Sequence, residues 1–407
     1  MRRAASALLL VLAGCGPVTD ADAGVDAGEA EAPLTAGVAT VDITPEPGID
    51  IVGFGARAST EVRDPLEAAV LVLRRGPTRL ALVTLDLPGL SDWYGQQLRA
   101  RVAAALGLGL EAVIAVASHT HSAPMLGDDA WSAATIDAIV AAAERAATDP
   151  VEVEASLAED EIDFDVNRRL VVDGVAEARP NPDGPRDPRV RTLALRSGDR
   201  LVALVSHVVC HANLLLGPDS ARISADFPGE ARERLTARHG APWLFVPGAA
   251  GDVRPSTPVV DGEFVLGGDA ELEDVGAQLA DAVTASLDAA VAIDDPRLAA
   301  VAESHNAPIR AGGTRPLDLT AWRIGALAVV TIPGEPVVTI GRDIEAAILE
   351  GRPAHALVVG YANGYASYLV TPEDEPFGGY EVERASLTAD ASSTLAARLT
   401  ALALGLY

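Results

Sequence analysis

The stretch that organises the chain is Val113-Ile114-Ala115-Val116-Ala117-Ser118-His119-Thr120-His121-Ser122-Ala123-Pro124. Five apolar residues rich in valine and isoleucine predict a buried strand, and the polar run after Ala117 predicts its end. His119 and His121 stand at i and i+2, so an extended chain presents both imidazoles on one side. Pro124 cannot donate to a sheet ladder and marks the exit. Two imidazoles on one face at a strand end can clamp a metal ion, or supply one ligand and one polar neighbour.

Three other stretches repeat that design. Val205-Ser206-His207-Val208-Val209-Cys210-His211-Ala212-Asn213 puts histidines at the end of an apolar strand, and Thr331-Ile332-Pro333-Gly334-Glu335-Pro336 puts a carboxylate there. A glutamate where a buried strand meets the first turn of a helix gains from the helix N-terminus, but is costly to bury without a cation. Gly360-Tyr361-Ala362-Asn363-Gly364-Tyr365-Ala366-Ser367-Tyr368 holds three of the six tyrosines. In α/β sheets, strand ends are where sites collect.

Strands are predicted at 69–73, 80–86, 112–117, 191–195, 201–206, 243–247, 322–332 and 356–360. Helices are predicted at 91–106, 131–147, 228–238, 268–289, 336–350 and 388–403. This alternation predicts an α/β protein of mixed β-sheets flanked by helices. The sequence shows no repeat of fixed period. Segments 179–188 and 261–268 read as long surface loops, and Asp226 as the cap of the helix at 228–238, with Pro228 in its first turn.

Composition narrows the chemistry. The 407 residues hold 31 basic side chains, every one an arginine, against 58 acidic ones. Without lysine there is no Schiff base, no Walker A lysine, no Ser-Lys dyad and no carbamylated-lysine bridge. A net charge of −27 argues against nucleic acid as a partner. Cys15 and Cys210 provide no disulfide framework; Cys210, among apolar residues, reads as an inert buried thiol.

Residues 1–14 comprise two arginines, a short apolar run and Leu12-Ala13-Gly14 ahead of Cys15. The run is too brief to cross about 30 Å of hydrocarbon and resembles a bacterial lipoprotein signal peptide. Cys15 is then the lipidated N-terminus, and residues 15–35, acidic and lacking aromatics, form a flexible tether. The folded part is expected over 36–407, in the cell envelope, extracytoplasmic and held to a membrane by lipid.

Taken together the motifs resemble the N-terminal, catalytic domain of the neutral/alkaline non-lysosomal ceramidases and their shorter bacterial relatives. The matching pieces, in family order, are Val41-Asp42-Ile43-Thr44-Pro45, His119-Thr120-His121-Ser122, Val166-Asn167-Arg168-Arg169, His211 with Ser224-Ala225-Asp226-Phe227-Pro228-Gly229, Ala250-Gly251-Asp252-Val253-Arg254-Pro255, Pro333-Gly334-Glu335 and Asn363-Gly364-Tyr365-Ala366-Ser367-Tyr368. The resemblance implies one zinc ion per chain, with His119, His211, Glu335 and Tyr368 as ligands and Arg168 near the active centre. It implies amide (N-acyl) hydrolysis by a zinc-activated water, with a lipid or other small-molecule amide as substrate. A tyrosine or Arg168 could stabilise the developing oxyanion. No segment matches the immunoglobulin-like C-terminal domain of the longer ceramidases.

Several positions carry alternatives. His121 is expected to orient substrate, move a proton or support a ligand from outside. His207 reads as a core or supporting histidine. Asp252 is either a base or second metal ligand in the site, or a side chain satisfying loop amides. Gly248 is expected where the ceramidases carry a serine important for amide cleavage. That places cleavage of ceramide itself in question and leaves a second reading, a catalytically silent, lipid-anchored envelope protein that keeps the fold for binding.

Overall fold

The computed structural model describes residues 32–215, 221–265 and 267–407. The expected signal peptide, Cys15 and the tether up to residue 31 lie outside the described residues. Leu34 and Thr35, expected to close the tether, already belong to the first strand.

That strand, β1 (Leu34–Asp42), pairs antiparallel with β2 (Glu67–Arg75), which forms a hairpin with β3 (Thr78–Leu85). Helix α1 (Asp92–Leu106) then crosses to β4 (Val113–Ala117), parallel to β3, and α2 (Ala130–Thr148) follows. The chain next makes β5 (Glu154–Glu161), an inserted hairpin of β6 (Asp165–Val172) and β7 (Val175–Asn181), and then β8 (Arg189–Ser197) and β9 (Arg200–Val208). Helix α3 (Phe227–His239) crosses to β10 (Trp243–Pro247), parallel to β9. Strand β11 (Val253–Pro255) joins the inserted hairpin, and α4 (Asp269–Ser286) completes this part. The last part holds β12 (Leu298–Pro308), β13 (Thr314–Ile324) and β14 (Leu327–Thr331), then the short β15 (Glu335–Pro336) and α5 (Val338–Leu349). Strand β16 (His355–Val359), parallel to β14, is followed by β17 (Tyr368–Leu369), α6 (Tyr380–Arg384) and α7 (Ala389–Leu404).

One topology thus occurs three times. The sheets run β4-β3-β2-β1, β10-β9-β8-β5 and β16-β14-β13-β12, each an antiparallel meander extended by one parallel strand reached through a helix. The first two sheets each gain a two-residue strand at the far edge. The repeat has no fixed period because the second unit carries the inserted hairpin, so register along the chain conceals it. Each sheet is covered on its outer face by its own helix pair: α1 and α2, α3 and α4, α5 and α7. The inner faces meet in one central core, with Leu71 and Leu73 from the first sheet, Leu193 and Leu195 from the second, and Trp322 and Leu357 from the third. Burial on both faces makes the central strands almost uniformly apolar. That is why they are legible in the sequence. A cavity of about 50 Å³, lined by apolar side chains and by His207, remains in this core.

Two expectations are corrected. The strand read over 322–332 is a hairpin, broken where Gly325 adopts φ 59° between β13 and β14. The loop read over 179–188 begins inside β7, and Glu263–Phe264 within 261–268 pairs with Val259–Val260. Helix starts follow the sequence signals: Asp226 accepts from the Phe227 amide, with Pro228 next, and Ser91, Asp129 and Thr388 cap α1, α2 and α7.

Helix α2 lies so close to β1 that a Cβ added at Gly37 would stand 1.9 Å from the Ala146 carbonyl oxygen. Gly37→Ala is therefore expected to destabilise the protein by about 1–3 kcal/mol in urea unfolding, since backbone and not a flexible side chain must move. Unchanged stability would contradict this seating of the helix.

Candidate functional site

The parallel strands of all three units end at one place, and their ends are locked together. Ala117 N–H donates to the Tyr361 carbonyl at 3.2 Å, Gly360 N–H to Pro247 at 3.0 Å and Gly248 N–H to Val208 at 2.9 Å. His119 follows β4, His211 follows β9 and Glu335 follows β14, so three side chains distant in sequence face one another. The backbone there is held in unusual conformations. His119, Tyr361, Asn363 and Ser367 have φ between 54° and 64°, a left-handed geometry costing about 1–3 kcal/mol each away from glycine.

Backbone carbonyls set the imidazoles. His119 Nδ1 hydrogen-bonds the Pro88 carbonyl, and His211 Nδ1 donates to the Ala250 carbonyl at 3.0 Å. In each ring the proton is thereby fixed on Nδ1, leaving the Nε2 lone pair turned inward. His119 Nε2 lies 3.1 Å from Glu335 Oε2 and 3.2 Å from His121 Nε2, and His211 Nε2 lies 3.7 Å from Glu335 Oε2. His211 Nε2 and Glu335 Oε2 are buried without a hydrogen-bond partner among the described residues. Ligand atoms of His119, His121 and His211 lie within 4.8 Å of one another, and these residues can hold a metal ion.

Electrostatics agree with a cation rather than with protons. Burial, reinforced by the charge of Arg168, pushes His121 and His211 well below the usual histidine range. Burial alone would raise Glu335, but His119 and hydrogen bonds from Tyr365 and Tyr368 outweigh it, and the group stays an anion. Neutral imidazoles and an ionised carboxylate are the donor set that a hydrolytic zinc site uses.

Around this group the other expected residues take distinct places. Arg168 donates to Glu381 at 2.8 Å, to the Gly251 carbonyl at 2.7 Å and to the Tyr368 hydroxyl at 3.0 Å. Burial opposes its charge, yet Tyr368 and Glu381 hold the guanidinium well above its ordinary pKa. Tyr368 is pushed up by burial and by Glu335, so it keeps its proton. Asp252 is outside the imidazole group. Its oxygens accept from the Val338 amide at 2.7 Å and Asn167 Nδ2 at 2.8 Å, at the start of α5, and burial pushes it up to about 7. Of the two alternatives for Asp252, the amide-satisfying one describes its contacts. His207 is buried behind the site, 3.0 Å from the Val358 carbonyl, and Cys210 is a buried free thiol. A Cβ at Gly248 would stand 2.6 Å from His207 Nε2 and 2.7 Å from Val209 Cγ2. A side chain at 248 would meet those residues, so packing accounts for glycine here.

Sequence reasoning missed three participants. Tyr365 donates its hydroxyl to Glu335 Oε1, Tyr361 stacks on His119 with ring centroids 4.3 Å apart, and Glu381 binds both Arg168 and Arg169. The tyrosine cluster was a signal for the first two; nothing in the local pattern marks Glu381. The group opens into a cavity of about 370 Å³ lined also by Tyr380 and Arg384. Phe54, 43% exposed, lies with its ring centroid 4.7 Å from that of His121.

No protein-family model matches the chain. Among curated proteins, a 55-residue stretch is 44% identical to a neutral ceramidase of Mycobacterium tuberculosis, covering 13% of this chain and 9% of that protein. Among solved structures, the neutral ceramidase of Pseudomonas aeruginosa superposes with a TM-score of 0.78 at 19% identity, covering 92% of this chain and 75% of the other. A ceramidase structure described as complexed with C2 gives 0.77 at 18% identity with the same coverage.

Burial holds His207 down to about 3, far below an unfolded histidine. Since the folded pKa is depressed, the stabilisation is complete above about pH 6.5 and is lost on acidification. Between pH 7 and 5 this one residue is expected to remove about 2 kcal/mol of stability. Urea unfolding of His207→Gln at the two pH values should show a correspondingly smaller loss than the parent; an equal loss would assign the effect elsewhere.

Proposed function

The chain has the neutral ceramidase fold over 92% of its length, and we propose that it is a zinc-dependent hydrolase cleaving an N-acyl amide bond. The observation that carries this reading is the convergence of His119 Nε2, His211 Nε2 and Glu335 Oε2, buried and turned toward one another with only acceptor atoms available. His119, His211 and Glu335 would hold the zinc, with Tyr368 beside them as the resemblance implies. When bound, zinc lowers the pKa of a coordinated water toward about 7 and polarises a carbonyl oxygen.

The remaining work falls to the chain's own groups. Tyr368, protonated and hydrogen-bonded to Arg168, donates to the oxygen on which negative charge develops, and the Arg168 cation stabilises the same charge. Glu381 and the Gly251 carbonyl keep that guanidinium in place. Tyr365 fixes the Glu335 carboxylate. His121, whose Nδ1 has no partner among the described residues, takes up the proton that the attacking water gives up and passes it to the departing nitrogen. The exposed ring of Tyr380 in the cavity wall, and that of Phe54 against His121, offer apolar contact for an acyl chain. Gly248, whose missing side chain is the feature favouring the silent binding protein, faces His207 rather than this group.

Metal analysis of the purified protein should find about one zinc per chain, lost in His211→Ala and in Glu335→Ala. Hydrolysis of a panel of N-acyl amides should fall by a factor of about 10²–10³ in Tyr368→Phe, the scale of removing one oxyanion donor. Zinc bound at unit stoichiometry with every amide intact would leave the silent binding protein as the reading.

We also infer that the chain is anchored in the cell envelope through lipid on Cys15. Cys15→Ser is expected to abolish incorporation of labelled fatty acid and to move the protein out of the membrane fraction. Unchanged fractionation would remove the anchor.

A further inference from the structure

Arg254 lies on β11, one residue after Val253, whose carbonyl accepts the His211 amide at 3.0 Å. Its side chain is only 6% exposed, with the guanidinium carbon 4.2 Å from the centre of the Phe264 ring. The other buried arginines each have a carboxylate. Arg168 and Arg169 meet Glu381, Arg191 meets Asp187 and Glu345, Arg99 meets Asp318, and Arg75 meets Asp295. Arg254 has none within 4 Å among the described residues, and its Nε and Nη2 are buried with no acceptor.

Those two nitrogens form one edge of the guanidinium, the edge that grips a planar carboxylate through two parallel hydrogen bonds. The group is placed beside the imidazole cluster by its strand, whose Val253 carbonyl holds the His211 amide one residue before Arg254. Burial and the nearby Arg168 lower it to about 10, so it is still a cation at neutral pH. A desolvated cation with a free bidentate edge is costly to keep in a folded protein unless something supplies the acceptor.

The geometry points to a carboxylate subsite beside the imidazole group, in which Arg254 Nε and Nη2 clamp a carboxylate of the substrate, so that the amide cleaved is that of an N-acylated amino acid. The word substrate rests on the hydrolase reading above; the subsite does not. In the reaction water oxygen bonds to the acyl carbon, the C–N bond breaks and the nitrogen takes a proton, releasing a fatty acid and a free amino acid whose carboxylate is the clamped group.

The test separates binding from cleavage. N-lauroylglycine and its uncharged counterpart N-lauroylglycinamide are titrated calorimetrically into the full-length protein, and both are assayed for hydrolysis. The acid should bind about 10–100-fold more tightly than the amide, the range of a charge-assisted hydrogen-bond pair. In Arg254→Met that ratio should fall to about one, and in Arg254→Lys, which keeps the charge without the fork, it should lie between. Arg254→Met should melt no lower than the parent by more than the small loss of the cation's contact with the Phe264 ring, because the cation it replaces has no carboxylate within 4 Å among the described residues; a large drop would make Arg254 structural and overturn the subsite. Equal binding of acid and amide by the parent would also overturn it, whatever the hydrolysis assay gives. Lauryl phosphate binding more tightly than the acid would reassign the edge to phosphate and overturn the carboxylate. Arg254-dependent binding of the acid with neither compound cleaved would uphold the subsite and remove the hydrolase reading.

Discussion

Lone pairs without protons are the constraint on which the rest of this molecule depends. His119 and His211 have spent their Nδ1 protons on backbone carbonyls, and Glu335 is an anion. Their remaining acceptor atoms are crowded together out of water. Such a cluster repels itself unless a cation sits among its members. The strained backbone at His119, Tyr361, Asn363 and Ser367, the interlocked strand ends and the tyrosines around Glu335 all serve to keep it in place.

The threefold use of one topology explains how residues so far apart in sequence reach that cluster. In each unit a parallel strand pair ends on the same side, so a histidine or carboxylate just beyond it is delivered to a common centre. Much of this was legible. Strands buried on both faces announce themselves as apolar runs, and a polar residue placed immediately after such a run is conspicuous, as His119, His211 and Glu335 are. The edges were not legible, because β5 and β12 are half exposed and alternate weakly. The hairpin at Gly325 was hidden because both its arms are apolar. Glu381 is set by a short helix whose only local clue is a charge, and Arg254 is distinguished solely by what fails to surround it. Absence of a neighbour leaves no trace in a sequence.

The all-arginine composition has a structural side. A lysine can shed its proton when buried, whereas a guanidinium stays charged and presents a flat array of donors. This interior uses that property repeatedly, with Arg189 and Arg191 sharing Asp187 and Glu345, and Arg168 and Arg169 sharing Glu381. Fixed, non-titrating charge is therefore built in beside the imidazoles, and a surface of opposite overall sign surrounds it.

The separate outer cores divide the protein's tolerance of change. A volume error beneath α3 and α4 falls first on the second layer, because the apolar side chains under those helices form a cluster of their own. An error at Leu193 or Trp322, in the shared centre, leans on all three sheets and so displaces every donor at once. Evolutionary drift should accordingly be permissive at the periphery and tightly policed along the inner faces, with the innermost aliphatic residues as constrained as the ligands themselves.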